Sequence, residues 1–117
     1  MAGVIGNDQW LIKGQSVFSQ DGKVELRMQD DGKLAVYREK KIVWQNTANQ
    51  RSDIKGVHMQ RDGNLCIYTN GSNGSPSAPV WVTNTGGKGD TTTICVVQND
   101  GKIVLYKGTP LWATDYP

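Results

Sequence analysis

The chain has 117 residues, 37% of them hydrophobic and 21% charged, with 14 glycines, a composition that excludes fibrous and disordered proteins. That length supports one hydrophobic core, so a single domain spanning 1–117 is expected. The formal net charge is +2, and 13 lysines and arginines are scattered among 11 acids, which speaks against nucleic acid as a partner.

The N-terminal MAGVIGNDQWLIKGQ has neither a basic leader nor an apolar h-region, and no run reaches membrane-spanning length. A cytoplasmic location is therefore expected, with unconventional export as the alternative, and no membrane insertion. LIKGQ is expected to begin a sheet edge, and SVFSQDGKVELRMQ to form a hairpin around Asp21 and Gly22. Next comes MQDDGKLAVY at 28–37, which recurs as MQRDGNLCIY at 59–68 and VQNDGKIVLY at 97–106. Each copy leads into an aromatic segment, IVWQNT at 42–47, VWVTNT at 80–85 and LWATD at 111–115. The chain is thus threefold, with repeats of approximately 18–47, 48–85 and 86–115. The longer second interval reflects TNGSNGSPSAP at 69–79, whose turn formers predict a loop insertion. Its sequons at Asn70 and Asn73 are expected to mark an exposed loop.

Short alternating runs rich in Val, Ile, Leu and Tyr, punctuated by Asp-Gly, predict antiparallel strands, and no stretch has helical period. Each repeat is too small to bury its own apolar face, so the expected fold is all-β, three small sheets around a pseudo-threefold axis, a β-prism. Trp44, Trp81 and Trp112 are expected to close the core near that axis. Trp10, which has no motif of its own, is expected to complete the first sheet. Two cysteines lack metal-ligand spacing and disulfide-scaffold density. Parity puts Cys66 outward and Cys95 inward, so two free thiols are expected.

In the second copy, Met59, Leu65 and Ile67 should point inward and Asn64, Cys66 and Tyr68 outward, joined by Gln60 and Asp62 across the bend. Such a face combines fixed donors and acceptors with one small apolar contact, which suits a neutral polyol such as a sugar. Sheet exteriors are polar in any case, and one copy alone would mean no more. Recurrence of the same residue types at the same offsets three times favours the sugar. An enzyme is not expected: the only histidine, His58, sits inside a strand, and Asp30 and Asp31 read as turn chemistry.

The pattern Gln-x-Asp-x-Asn-x-Cys-x-Tyr at 60–68 resembles the signature of the bulb-type (monocot) mannose-binding lectins, Gln-x-Asp-x-Asn-x-Val-x-Tyr, repeated three times on a β-prism II fold. In length and cysteine poverty the chain is similar to the family's fish-mucus members, a resemblance that also suggests innate defence. It implies α-D-mannose and mannose-terminated glycans or glycoproteins as partners, without calcium, other metal or cofactor. The Asp and Asn would hold the 2-hydroxyl, the Gln the 3-hydroxyl and the Tyr the 4-hydroxyl.

Carried over by position, the second site comprises Gln60, Asp62, Asn64 and Tyr68, with Cys66 in place of Val. The first comprises Gln29, Asp31, Lys33, Ala35 and Tyr37, and the third Gln98, Asp100, Lys102, Val104 and Tyr106. Lys33 and Lys102 replace Asn, which predicts sites weak for mannose or suited to anionic sugars. The alternative is a surface ion pair of each lysine with its Asp. The resemblance further implies a homodimer exchanging GTPLWATDYP at 108–117, against which stands a strand folding back on its own chain. The rival function is a protein-binding or antibacterial module with degenerate sugar sites.

Overall fold

A computed structural model describes residues 3–71, 76–109 and 111–112. Eleven strands run in chain order: β1 (Val4–Ile5), β2 (Trp10–Ile12), β3 (Ser16–Phe18), β4 (Val24–Met28), β5 (Leu34–Arg38), β6 (Lys41–Gln45), β7 (Ile54–Met59), β8 (Leu65–Asn70), β9 (Pro76–Val82), β10 (Ile94–Val97) and β11 (Ile103–Tyr106). They form three antiparallel sheets in the orders β3-β4-β5-β6, β2-β7-β8-β9 and β1-β10-β11. No helix occurs among the described residues.

The first three strands do not stay together: one joins each sheet. Trp10 pairs with His58 and Ile12 with Gly56, so Trp10 and the LIKGQ segment belong to the second sheet, not the first. Local alternation marks a strand but carries no information about a partner so distant in sequence.

Every second residue of the central strands is apolar and faces the axis, which puts Leu26, Met28, Leu34, Val36, Val57, Met59, Leu65, Ile67, Cys95 and Val97 in one shared core. Burying a side chain such as Leu26 or Ile67 completely contributes roughly 1.5–3 kcal/mol, and no single sheet has enough of them to stand alone. Cys66 and Cys95 are free and buried. Cys66 lies on the outer side by parity, yet is only 1% exposed, because His58 and Val82 flank it across the sheet.

The tryptophans depart from the expected arrangement. Trp81 packs against the core and meets Trp44 edge-on at 5.9 Å between ring centroids, but Trp44 remains 43% exposed. Trp112 lies outside the sheets at 81% exposure, so it closes nothing within its own chain. A groove of about 500 Å³ runs along the axis between Trp44, Trp81, Leu26, Leu34, Leu65 and Leu105, where a third tryptophan would complete the set. The segment 69–79 also departs from a plain loop: β8 continues to Asn70, and β9 begins at Pro76 and pairs with it. Asn70 is exposed at that hairpin end, while Asn73 lies outside the described residues.

The three motif hairpins turn in the same way. Gln60 N–H donates to Asn64 O at 2.9 Å and Gly63 N–H to Gln60 O at 3.1 Å, with matching bonds at Gln29–Lys33 and Gln98–Lys102. Gly63 has φ +92° and its α-carbon faces Gly89 so closely that an added Cβ would stand 2.4 Å from Gly89 Cα. Both the left-handed conformation and the close approach demand glycine. Gly63→Ala is expected to cost about 1–3 kcal/mol in urea unfolding, and Gly22→Ala less, since its φ is +74° with open space around it. Equal losses would show that backbone conformation alone sets the cost.

Candidate functional site

Each motif hairpin carries the same chain of hydrogen bonds on its outer side. In the second copy Tyr68 donates its hydroxyl proton to Gln60 Oε1. Gln60 Nε2 donates to Asp62 Oδ1 at 3.2 Å, and Asp62 Oδ1 also accepts the Asn64 backbone N–H at 3.0 Å. Tyr37, Gln29, Asp31 and the Lys33 N–H repeat this relay. So do Tyr106, Gln98, Asp100 and the Lys102 N–H. The expected residues therefore do converge, and the aspartate serves the turn as well as the surface. An Asx-type bond of this sort is what makes Asp favourable two residues before the strand resumes.

The copies differ in what is left over. Asp31 Oδ2 accepts from Gln29 and Gln50, and Asp100 Oδ2 accepts from Gln98. Asp62 Oδ2 has no protein donor among the described residues, so it alone keeps a whole carboxylate oxygen for a ligand hydroxyl. Asn64 Oδ1 accepts from Thr83 Oγ1 at 3.1 Å and Thr85 N–H at 3.2 Å. Those bonds fix the carboxamide so that Nδ2 faces outward as a free donor. Thr83 and Thr85 form a second layer that the repeat pattern did not flag, although both sit in the VWVTNT segment.

Neither lysine forms the expected ion pair. The Asp31 and Asp100 carboxylates take backbone N–H groups instead, and the ion pairs among the described residues are Arg51–Asp53 and His58–Asp8. The Lys33 ammonium reaches Asn46 O at 3.5 Å. Asn46 occupies the place of Thr83, but its side chain donates nothing: Oδ1 accepts Leu34 N–H at 2.7 Å, while Nδ2 is buried without a partner and the residue is 1% exposed. In the second copy the corresponding side chain, Thr83, bonds the carboxamide oxygen of Asn64; lysine offers no such acceptor. With lysine at position 33 the Asn46 amide has no side-chain acceptor there.

Electrostatic shifts fall on three groups of the motif hairpins. Backbone donation from Lys102 above all, with Gln98 and the Lys102 and Arg38 charges, holds the Asp100 carboxyl below its ordinary value. Burial foremost, with Cys66 and Asp62 beside it, pushes the Tyr68 phenol up to about 12. Burial likewise raises the Cys66 thiol.

The rows crossing beneath each site also differ. Register places Trp10, His58 and Cys66 side by side in the second sheet, Ser16, Arg27 and Ala35 in the first, and Val4, Val96 and Val104 in the third. Trp10 stacks on His58 at 4.5 Å, Lys55 Nζ stands 4.3 Å from the Trp10 ring, and His58 Nε2 lies 3.0 Å from Asp8 Oδ1. No cluster of metal-ligating side chains occurs among the described residues.

Three sheets around an axis, each displaying the same Tyr-Gln-Asp relay on its outer face, define a β-prism with one repeated polar surface per sheet. The snowdrop (Galanthus nivalis) mannose-specific agglutinin, solved with methyl-α-D-mannoside, superposes with a TM-score of 0.73 at 31% identity, covering 97% of this chain and 95% of that one. The B-type lectin plumieribetin of Scorpaena plumieri is 37% identical over 111 residues, 93% of this chain and 90% of its own. The mannose-specific lectin of Aloe arborescens is 29% identical over 93 residues, 80% of each chain. No family model matches. The chain belongs to the bulb-type mannose-binding lectin family, with the β-prism II fold, a family of binding proteins and not of enzymes.

Lys33→Asn is expected to give Asn46 Nδ2 its missing acceptor and so to stabilise the fold by about 1 kcal/mol, read as a higher urea midpoint; an unchanged or lower midpoint would show that the amide is not the cost. In alkaline spectrophotometric titration Tyr68→Phe should remove a phenol titrating near 12. Because the folded state favours the neutral phenol, its contribution is complete below the unfolded value near 10 and is lost as pH rises through about 12.

Proposed function

We propose that the chain is a calcium-independent lectin that recognises α-D-mannose and mannose-terminated glycans, chiefly through Gln60, Asp62, Asn64 and Tyr68. The observation that carries this reading is the free Asp62 Oδ2 beside the anchored Asn64 carboxamide, an acceptor and a donor held ready for one sugar hydroxyl. The mannoside complex of the snowdrop protein supports the same ligand class. Because the relay fixes the Tyr68 hydroxyl and the Gln60 amide before a ligand arrives, little ordering cost is left for binding. Asn64→Ala is expected to weaken methyl α-mannoside binding by about tenfold or more in calorimetry, the loss of one or two hydrogen bonds. Binding left intact would show that the second site is not the main one, and a blank glycan array with retained protein binding would favour a protein-binding module.

A monosaccharide offers few atoms to a shallow site, so strength requires multiplicity. Exchange of the 108–117 segment between two chains would deliver a partner's Trp112 into the axial groove beside Trp44 and Trp81. It would also cover the edge of β11, where the third sheet has only three described strands. The full chain is expected to run as a dimer in light scattering, and Trp112→Ala to shift it to monomer. A monomeric full chain would rule out the exchange.

A further inference from the structure

The outer side of the first sheet gathers hydrogen-bond donors that lack acceptors. Arg27 stands directly across from Ala35, and its one protein bond is a long one, Nη1 to Ser16 Oγ at 3.4 Å. Lys33 precedes Ala35 by two residues on the same side, and its ammonium has only the 3.5 Å contact to Asn46 O. Below it lies the unpartnered Asn46 Nδ2. Neither cation has a carboxylate within 4.0 Å among the described residues.

The acids nearby are already engaged. Asp31 accepts from Gln29, Gln50 and the Lys33 N–H. Glu25, on the same side and beside Tyr37, accepts from Ser16 Oγ. Diagonal neighbours across an antiparallel pair stand roughly 7–8 Å apart, a span that one oxyanion with several acceptor oxygens bridges. Ala35 itself is fully buried between them, so a bound group would rest on the two charged side-chain ends above the sheet.

We propose that the first site takes a hexose bearing an oxyanion, a carboxylate, phosphate or sulfate, with Arg27 and Lys33 gripping the charged group while Gln29 and Tyr37 face the ring hydroxyls. Arginine supplies two parallel donors to such a group and lysine a point charge, both stronger than bonds to a neutral hydroxyl. The third site is built differently: valine stands at both Val96 and Val104, and its arginine, Arg38, lies at the turn beside Gly101 and Asp100 instead of across from the strand. The proposal rests on reading the motifs as sugar sites, and assigns the first of them a different sugar.

The test is an NMR titration of the isotopically labelled full chain with glucuronate, mannose 6-phosphate, methyl α-mannoside and inorganic phosphate, following Ala35 and Tyr37 separately from Cys66 and Tyr68. The acidic sugars are expected to shift the first-sheet signals at concentrations roughly tenfold below methyl α-mannoside. Arg27→Gln should weaken that response about tenfold with second-sheet signals unmoved, which shows the fold intact. Lys33→Asn should exchange it for a response to methyl α-mannoside. First-sheet signals that stay silent, that answer methyl α-mannoside equally well, or that answer inorganic phosphate as tightly as the acidic sugars would overturn the proposal. Methyl α-mannoside failing at the second sheet while acidic sugars still shift the first would overturn the mannose reading alone and uphold this one.

Discussion

The hydrogen bond from tyrosine to glutamine across each motif hairpin is the constraint on which the site depends. It joins a residue far along one strand to the residue that opens the turn, and the glutamine passes the constraint to the aspartate. The aspartate in turn fastens the backbone N–H that starts the next strand. Side chains able to read hydroxyl groups are therefore the same ones that hold the hairpin shut. Loss of the fold and loss of the surface cannot be separated at these positions, whereas Asn64, Lys33 and Lys102 give the relay only their backbone N–H, so their side chains can differ while it stays.

That separation explains how one relay supports three unlike surfaces. Asn64 is held by two donors from the strand behind it, and its remaining donor is directed outward at no cost. Lysine at the same point loses both bonds and leaves Asn46 with an amide that nothing satisfies. A buried donor without a partner costs more than the hydrogen bond it replaces would have contributed, so such a substitution is retained only against a penalty. The rows beneath carry the difference further: aromatic and imidazole rings under one site, a guanidinium under another, valines under the last.

The threefold plan and the outward polar sets were legible because they are local. Asp-Gly spacing, strand parity and the recurring Gln, Asp and Tyr all lie within ten residues of one another, and each obeys a period the backbone imposes. What could not be read was set by distant pairing. Trp10 meets His58, and Val4 meets Val96, through register that alternation does not encode. The same limit hid Arg27, whose outward direction is evident from parity but whose position beneath Ala35 depends on the neighbouring strand. Trp112 departs from its expected place for a related reason. Its motif matches Trp44 and Trp81, but a matching motif does not fix the tertiary pairing that buries the ring, and Trp112 stands 81% exposed.

The short N-terminal run from Val4 to Phe18 gives one edge strand to each of the three sheets, closing the third, the second and the first in that order. These strands thus wait for partners that come much later in the chain, β7 for Trp10 and β10 for Val4. Such non-local closure raises the contact order and places folding among the slower, millisecond-to-second class of β proteins. Until synthesis reaches β10, the nascent chain carries at least one unpaired apolar strand, and this makes the molecule most vulnerable to association at birth rather than in its finished state.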